Sequence, residues 1–436
     1  MRRLWLATIV CVIGLGLIAQ ANNAHAKLDD ILYEKGTITK EEWLKSKADA
    51  EREEAIIQQT PTTKKWYEKL SIRGYTQMRY NYITDDKKLT SPYDSSIGND
   101  KGFLFRRVRL VISGDITDWL SIYIQPDFGS SAGTGNNNFA QLRDAYTDIF
   151  LTFLNKEKEF RIRAGQSKVP FGFENLQSSQ QRLALDRSDG INTAAPNERD
   201  IGLFFYYTPT ETRKLFRSLL DKGLKGSGDY GMLGVGVYNG QTMNISEAND
   251  NKHVVLHATY PFELPYGQIV QVGVDAYRGV INVTAGPVTP LAGGPAVTPS
   301  MKNRGNITDE RIGTHFVLYP QPFGFQAEWN WGRGPQLNAA RTRVEENSLQ
   351  GGYVQAMYKW DDIMPYVRWQ QYYGGRKNVT NSPFQVVHET ELGVEYQFSQ
   401  ALELTVAYAW MKRSGVPAPY TIQDGQLVRF QLQWNY

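Results

Sequence analysis

From about Lys69 to the C-terminus the chain alternates apolar and polar residues with a period of two. The end of the chain shows this best. Val428, Phe430, Leu432, Trp434 and Tyr436 alternate with Arg429, Gln431, Gln433 and Asn435. The segment before it carries Leu402, Leu404, Val406, Tyr408 and Trp410 on one face. Before that, Leu392, Val394, Tyr396 and Phe398 oppose Glu391, Gly393, Glu395 and Gln397. Period two is the signature of strands with one polar and one apolar face. A sandwich would bury the apolar faces against a second sheet. A membrane barrel would turn them to lipid. Aromatics near the strand ends and many charges on the polar face favour the barrel.

The pattern predicts an all-β, antiparallel transmembrane barrel of about 16 strands, preceded by a short helical segment. The strands fall at 69–83, 103–115, 118–128, 139–152, 158–169, 200–208, 229–239 and 252–261. They continue at 267–279, 308–319, 322–333, 348–360, 363–373, 386–398, 401–413 and 425–436. Short connections such as Ile116-Thr117-Asp118, Pro320-Gln321-Pro322, Asp361-Asp362 and Ser399-Gln400 alternate with long ones at 84–102, 170–199, 280–307 and 412–424. Short turns on one rim and long loops on the other are what outer-membrane barrels show. The long, charged connection 209–228 breaks the rule by falling on the short-turn side. Barrels of about eight strands fill their own interior, whereas about sixteen leave an aqueous channel. The count stands close to those of fatty-acid transporters and maltoporin-like sugar channels.

The N-terminus is different. Arg2 and Arg3, the apolar run Leu4 to Ile18 and Ala24-His25-Ala26 read as a secretory signal, residues 1–26, cleaved after Ala26. Residues 27–66 form a helical segment and linker, and 67–436 the barrel domain. A first helix ends at Gly36, and Thr39 with Glu42 makes a capping box for a second through the Lys45 to Glu54 run. The segment reads either as an oligomerising or pore-covering helix or as a solvated spacer. Cys11 is the chain's single cysteine and lies in the signal, so disulfides and thiolate chemistry are excluded from the mature chain. Without Arg2 and Arg3 the balance is 46 Lys+Arg against 45 Asp+Glu, which implies no basic field for nucleic acid.

Parity assigns the charged residues to faces. A charge facing lipid costs ~2–4 kcal/mol at mid-depth, so Arg73, Arg79, Arg107, Arg109, Arg161, Arg163 and Arg429 are expected inside. They form a basic wall running from the last strand through the first five. Glu389, Glu391, Glu395 and Glu403 form an acidic wall, and Asp275 and Glu328 also point inward. Opposed walls would set a field across the lumen and select ions. Equally, such charges can pair with each other and simply hold the wall together. The loop 170–199, with Arg182, Arg187 and Arg199 beside Asp186, Asp189 and Glu198, is the candidate constriction if it folds inward.

Several motifs resemble the phosphate-selective porin O and P family. One is Phe105-Arg106-Arg107-Val108-Arg109 with Ser113-Gly114; another runs from Arg161-Ile162-Arg163-Ala164-Gly165 through Lys168 to Gly172. Arg199-Asp200-Ile201-Gly202, Val235-Gly236-Val237-Tyr238-Asn239-Gly240 and the leading Leu32 to Thr39 segment look similar too. The final Tyr436 resembles the C-terminal aromatic signal of outer-membrane proteins. The resemblance implies a homotrimer of barrels, an inward third loop and an arginine-lined, anion-preferring pore. It carries Arg107, Arg109, Arg161, Arg163 and Lys168 over as pore-lining. It also implies an outer-membrane location, contact with lipid, assembly through the terminal strand, and small anionic solutes as the passengers. No cofactor or metal is implied. No stretch matches the lysines of the most phosphate-selective members, so the expectation is general anion passage with phosphate left open.

Two rival readings come from other classes. A barrel hydrolase needs a nucleophile and a base on one face. After the signal only His253, His257, His315 and His388 are available, and no Ser sits in a Gly-x-Ser-x-Gly turn. His253 and His257 on one strand would stand ~13 Å apart, too far to share a metal ion. A structural or adhesive barrel would differ from a porin in conducting nothing.

Overall fold

The computed structural model describes residues 30–59, 65–84, 102–129, 140–415 and 422–436. The expected signal at 1–26 lies outside them. The chain divides into two compact units, Met1–Lys65 and Trp66–Tyr436.

In the first unit, residues 30–34 are helical and Gly36 follows at φ 69°. Helix α1 spans Lys40–Gln59, longer than the pattern suggested. Its capping box is formed: the Thr39 amide donates to Glu42 Oε2 (2.8 Å) and the Glu42 amide to Thr39 Oγ1 (3.3 Å). Tyr33 stacks on Trp43, whose indole N–H donates to Asp30.

The second unit is a closed antiparallel barrel of sixteen strands. They are β1 (Leu70–Ile83), β2 (Gly102–Thr117), β3 (Leu120–Asp127), β4 (Gln141–Phe150), β5 (Phe160–Lys168), β6 (Arg199–Tyr207), β7 (Leu233–Tyr238) and β8 (His253–Glu263). The second half is β9 (Ile269–Asn282), β10 (Asn306–Leu318), β11 (Phe323–Leu337), β12 (Arg343–Tyr358), β13 (Ile363–Gly375), β14 (Phe384–Ser399), β15 (Leu402–Gly415) and β16 (Ile422–Asn435). A two-residue strand, Ser300–Met301, pairs with the start of β12 from a loop.

β1 closes the barrel against β16, in register from Tyr75↔Asn435 to Ile83↔Leu427. Tyr436 completes the seam by exchanging backbone hydrogen bonds with Gly74. Only glycine fits there, because a Cβ on Gly74 would lie 2.5 Å from the Tyr436 ring. Closure leaves no open edge in lipid.

Burial is inverted relative to a water-soluble protein. Ile72, Phe103, Leu203 and Leu256 are 56–74% exposed, while Arg79, Arg429, Gln433 and Asp275 are 0–2% exposed. This rules out the sandwich, in which those apolar faces would be covered.

Two features depart from the sequence pattern. Some strands run further on the long-loop rim: β12 begins at Arg343 rather than 348, although Arg343-Val344-Glu345-Glu346-Asn347 is largely polar. Pairing with β11 holds this stretch as strand beyond the lipid band, where polar outward residues cost nothing. The other departure is 208–232. It contains helix α4 (Thr210–Asp221), which follows α2 (Phe173–Leu176) and α3 (Asp189–Ala194) of the long loop after β5. Phe216, Leu219 and Leu224 bury themselves against Phe173, Ile269, Val317 and Tyr319. The segment therefore folds into the barrel from the short-turn rim.

Candidate functional site: an arginine-lined conduit between two partitions

The loop 169–198 lies inside the barrel, bonded to its wall around the circumference. Near β1, Gln77 Nε2 donates to Ser179 O (3.0 Å) and Tyr75 Oη meets Ser179 Oγ (2.6 Å). On the far side the Gly172 amide donates to Asp275 (3.0 Å), the Glu174 amide to Glu328 (3.0 Å), and Arg368 pairs with Glu174 (2.8 Å). Arg311 donates to the carbonyls of Gly190 and Thr193. Gly190 is pressed on β12, where a Cβ would come within 2.5 Å of the Gly351 backbone.

Asp186 is the loop's main electrostatic anchor. It accepts from Arg79 (2.6 Å), Arg106 (3.2 Å) and Arg429 (2.9 Å). Burial pushes its carboxyl up, but these guanidiniums outweigh it and hold the group well below the usual carboxylate range. Glu198 is likewise raised by burial and lowered further by Arg187, Lys168, Arg199 and Arg182, with the net direction down. Arg182 and Arg187 approach Glu198 at 3.8 and 3.1 Å, and Arg199 binds both Asp144 and Glu198. The three arginines expected to narrow the pore are therefore gathered around one carboxylate.

The basic residues expected inside do face inward, and most have an acidic partner. Arg109 pairs with Asp127 (2.8 Å), Arg163 with Asp148 (2.7 Å) and Arg161 with Asp229 (2.9 Å). Arg107 donates to Gln77 (2.7 Å). Lys168 donates to the carbonyls of Leu176 and Gln177 (3.1 and 2.6 Å), holding the loop's first turn. Arg73 faces the lumen near the short-turn rim, is exposed, and has no ion pair among the described residues.

The acidic residues are matched too. Glu389 pairs with Arg413 (3.2 Å), Glu391 binds Arg429 and accepts from Tyr366 Oη (2.6 Å), and Glu395 pairs with Lys225 (2.5 Å). Glu403 is buried close by. Burial lowers the Lys225 ammonium, but Glu395 and Glu403 outweigh it and leave the group raised. The walls are thus not simple blocks of opposite sign. The partners Asp127, Asp144 and Asp148 stand on β3 and β4, within the supposed basic wall; their parity was readable from sequence. Lys225 comes from the inserted segment, which no pattern assigned to the lumen.

Lys377 stands between β13 and β14, yet it is buried, bonded to Asp309 and to the Ala194 carbonyl (2.7 Å). It ties the far end of the inward loop to the wall.

Three spaces lie along the lumen, the outer one bounded by β2–β4 and β13–β16 and the other two by β1–β5. The outer, on the long-loop side, is a cavity of about 170 Å³ lined by nine arginines, including Arg107, Arg109, Arg182, Arg187 and Arg429, against five carboxylates. The middle, about 260 Å³, lies between the inward loop and the segment 208–232. Arg109 lines both, beside Ser179, to which it donates (2.9 Å). The third, about 640 Å³, opens at the short-turn rim beside Arg161, Arg213 and Arg217. No metal-ligating cluster is present among the described residues.

A family model described as "Phosphate-selective porin O and P" matches residues 76–436. Among solved structures, a loop L8 deletion mutant of OmpT, an outer membrane protein of Vibrio cholerae, is similar in fold. Its TM-score is 0.50 at 10% identity, over 84% of this chain and 99% of that one. The outer membrane channel DcaP of Acinetobacter baumannii gives 0.50 at 13% identity, over 84% and 97%. No curated protein matches the chain.

Proposed function

Because this chain belongs to the phosphate-selective porin O and P family, and is a channel-forming barrel of the outer membrane rather than an enzyme, we propose that it passes small anions by diffusion along its β1–β5 wall. The observation that carries the proposal is the outer cavity, with nine arginines to five carboxylates around it. Water-excluding walls focus that excess and raise the local concentration of anions.

In this reading Arg107, Arg109, Arg161, Arg163, Lys168, Arg73, Arg79 and Arg429 make the basic side of the path. Arg182, Arg187 and Arg199 set the inner loop's contribution, and the constriction is at Arg109 and Ser179. Glu389 is one of the five carboxylates of the outer cavity, Glu391 offsets Arg429, and Glu395 and Glu403 offset Lys225. Phosphate is one candidate among small anions. The long helix of the first unit and the family suggest a homotrimer, and the strand ending at Tyr436 is the contact offered to the assembly machinery.

The test is single-channel recording in planar bilayers under a salt gradient. Stable steps and a reversal potential of anionic sign are expected; cation preference overturns the proposal. Arg107→Glu and Arg163→Glu should move the reversal potential toward cations more than Lys252→Glu, an exposed loop residue paired with Glu247. Native mass spectrometry of the detergent-extracted protein should give the trimer.

A further inference from the structure

The outer and middle spaces differ in one chemical respect. No aromatic side chain lines the outer cavity among the described residues, whereas Tyr123, Tyr146 and Tyr230 line the middle one. Tyr123 and Tyr146, directly opposed on β3 and β4, stack with centroids 5.0 Å apart and planes 7° apart. The Arg163 guanidinium sits 3.9 Å from the Tyr146 centroid and is held there by both oxygens of Asp148. All three rings are half-buried, so part of each faces the cavity.

The charges differ as well. Arg163 is matched by Asp148 and Arg199 by Asp144 and Glu198, so these guanidiniums offer little net charge to a solute. Arg73 lines the same cavity without an ion pair among the described residues. A stack of π faces beside one unmatched guanidinium suits a solute with one flat apolar part and one anionic group. A compact inorganic anion would use the guanidinium and leave the rings without contact.

Resting on the anion-channel reading above, we propose that the middle chamber is a binding site for planar aromatic carboxylates, with the ring against the Tyr123–Tyr146 stack and the carboxylate on Arg73. Ser178 and Gln181 of the inward loop and Leu220 and Gly228 of the inserted segment line the chamber from its two sides, so a solute on its way through the lumen meets the rings between the partitions. The outer cavity admits anions by charge, and the middle one sorts them by shape and π surface.

The test uses the full chain in a planar bilayer carrying chloride current, with benzoate, cyclohexanecarboxylate or inorganic phosphate added. Benzoate should block chloride current at a concentration at least several-fold lower than cyclohexanecarboxylate, which has the same charge but no π face. Tyr123→Leu should remove most of that difference, and Arg73→Gln should weaken block by both acids. Each variant is compared with its own chloride conductance. Equal block by the two acids, block by phosphate alone, or a benzoate preference that survives Tyr123→Leu overturns the proposal. A protein that carries no chloride current overturns the channel reading, and the proposal with it.

Discussion

Asp186 is the residue on which the inward loop depends most. Arg79 is fully buried beneath it, and removing one partner of a buried pair costs about 3–5 kcal/mol. Asp186→Asn should therefore lower the thermal unfolding temperature and leave Arg79, Arg106 and Arg429 less neutralised. The reversal potential should move further toward anions, unless the loop leaves the lumen, in which case conductance rises instead. Acid should not reproduce this. A carboxyl whose folded pKa lies below its unfolded value of about 3.9 adds stability above that value and loses it only as pH falls through the folded pKa. Asp186 and Glu198 both shift downward, so the loop should stay anchored from pH 8 to about pH 4.5, with hydrogen exchange of its backbone unchanged at matched ionic strength. Loss of that protection near pH 6 would show that other groups hold the loop.

At the scale of elements, the inserted segment 208–232 acts as a second partition. The Gln177 side chain donates to the Lys225 carbonyl (2.6 Å), and Lys359 donates to the Lys222 carbonyl (2.7 Å), so the segment props the inward loop as well as the wall. Replacing 210–224 by a short turn should leave heat-resistant barrels whose single-channel conductance rises only slightly, because the constriction lies at the inward loop. Lys225→Met leaves Glu395 buried without its partner and should lower the unfolding midpoint. Much of the barrel was legible in advance, since β14, β15 and β16 lie within three residues of their expected bounds. Period two reports which face a residue takes, and lipid enforces it at every position. The partition was not legible, because α4 is short, charged and amphipathic, and nothing local distinguishes a helix that enters a lumen from one that lies outside. The burial of Lys377 was not legible for the same reason: it comes from Asp309 and Ala194, far away in sequence.

For the whole molecule, the wall is held by a continuous ladder from β1 to β16, and the partitions are additions to its interior rather than parts of its closure. Barrel integrity and permeability should therefore respond to different mutations. The Gly74–Tyr436 seam should govern refolding yield, with Gly74→Val expected to slow recovery of the heat-modifiable form on gels. The two partitions enter from opposite rims with the middle space between them, so an ion meets them one after the other. They behave as electrical resistances in series, and the larger resistance sets the current. Removing the smaller one alone will scarcely be visible, whereas removing both should yield more than the product of the two separate increases.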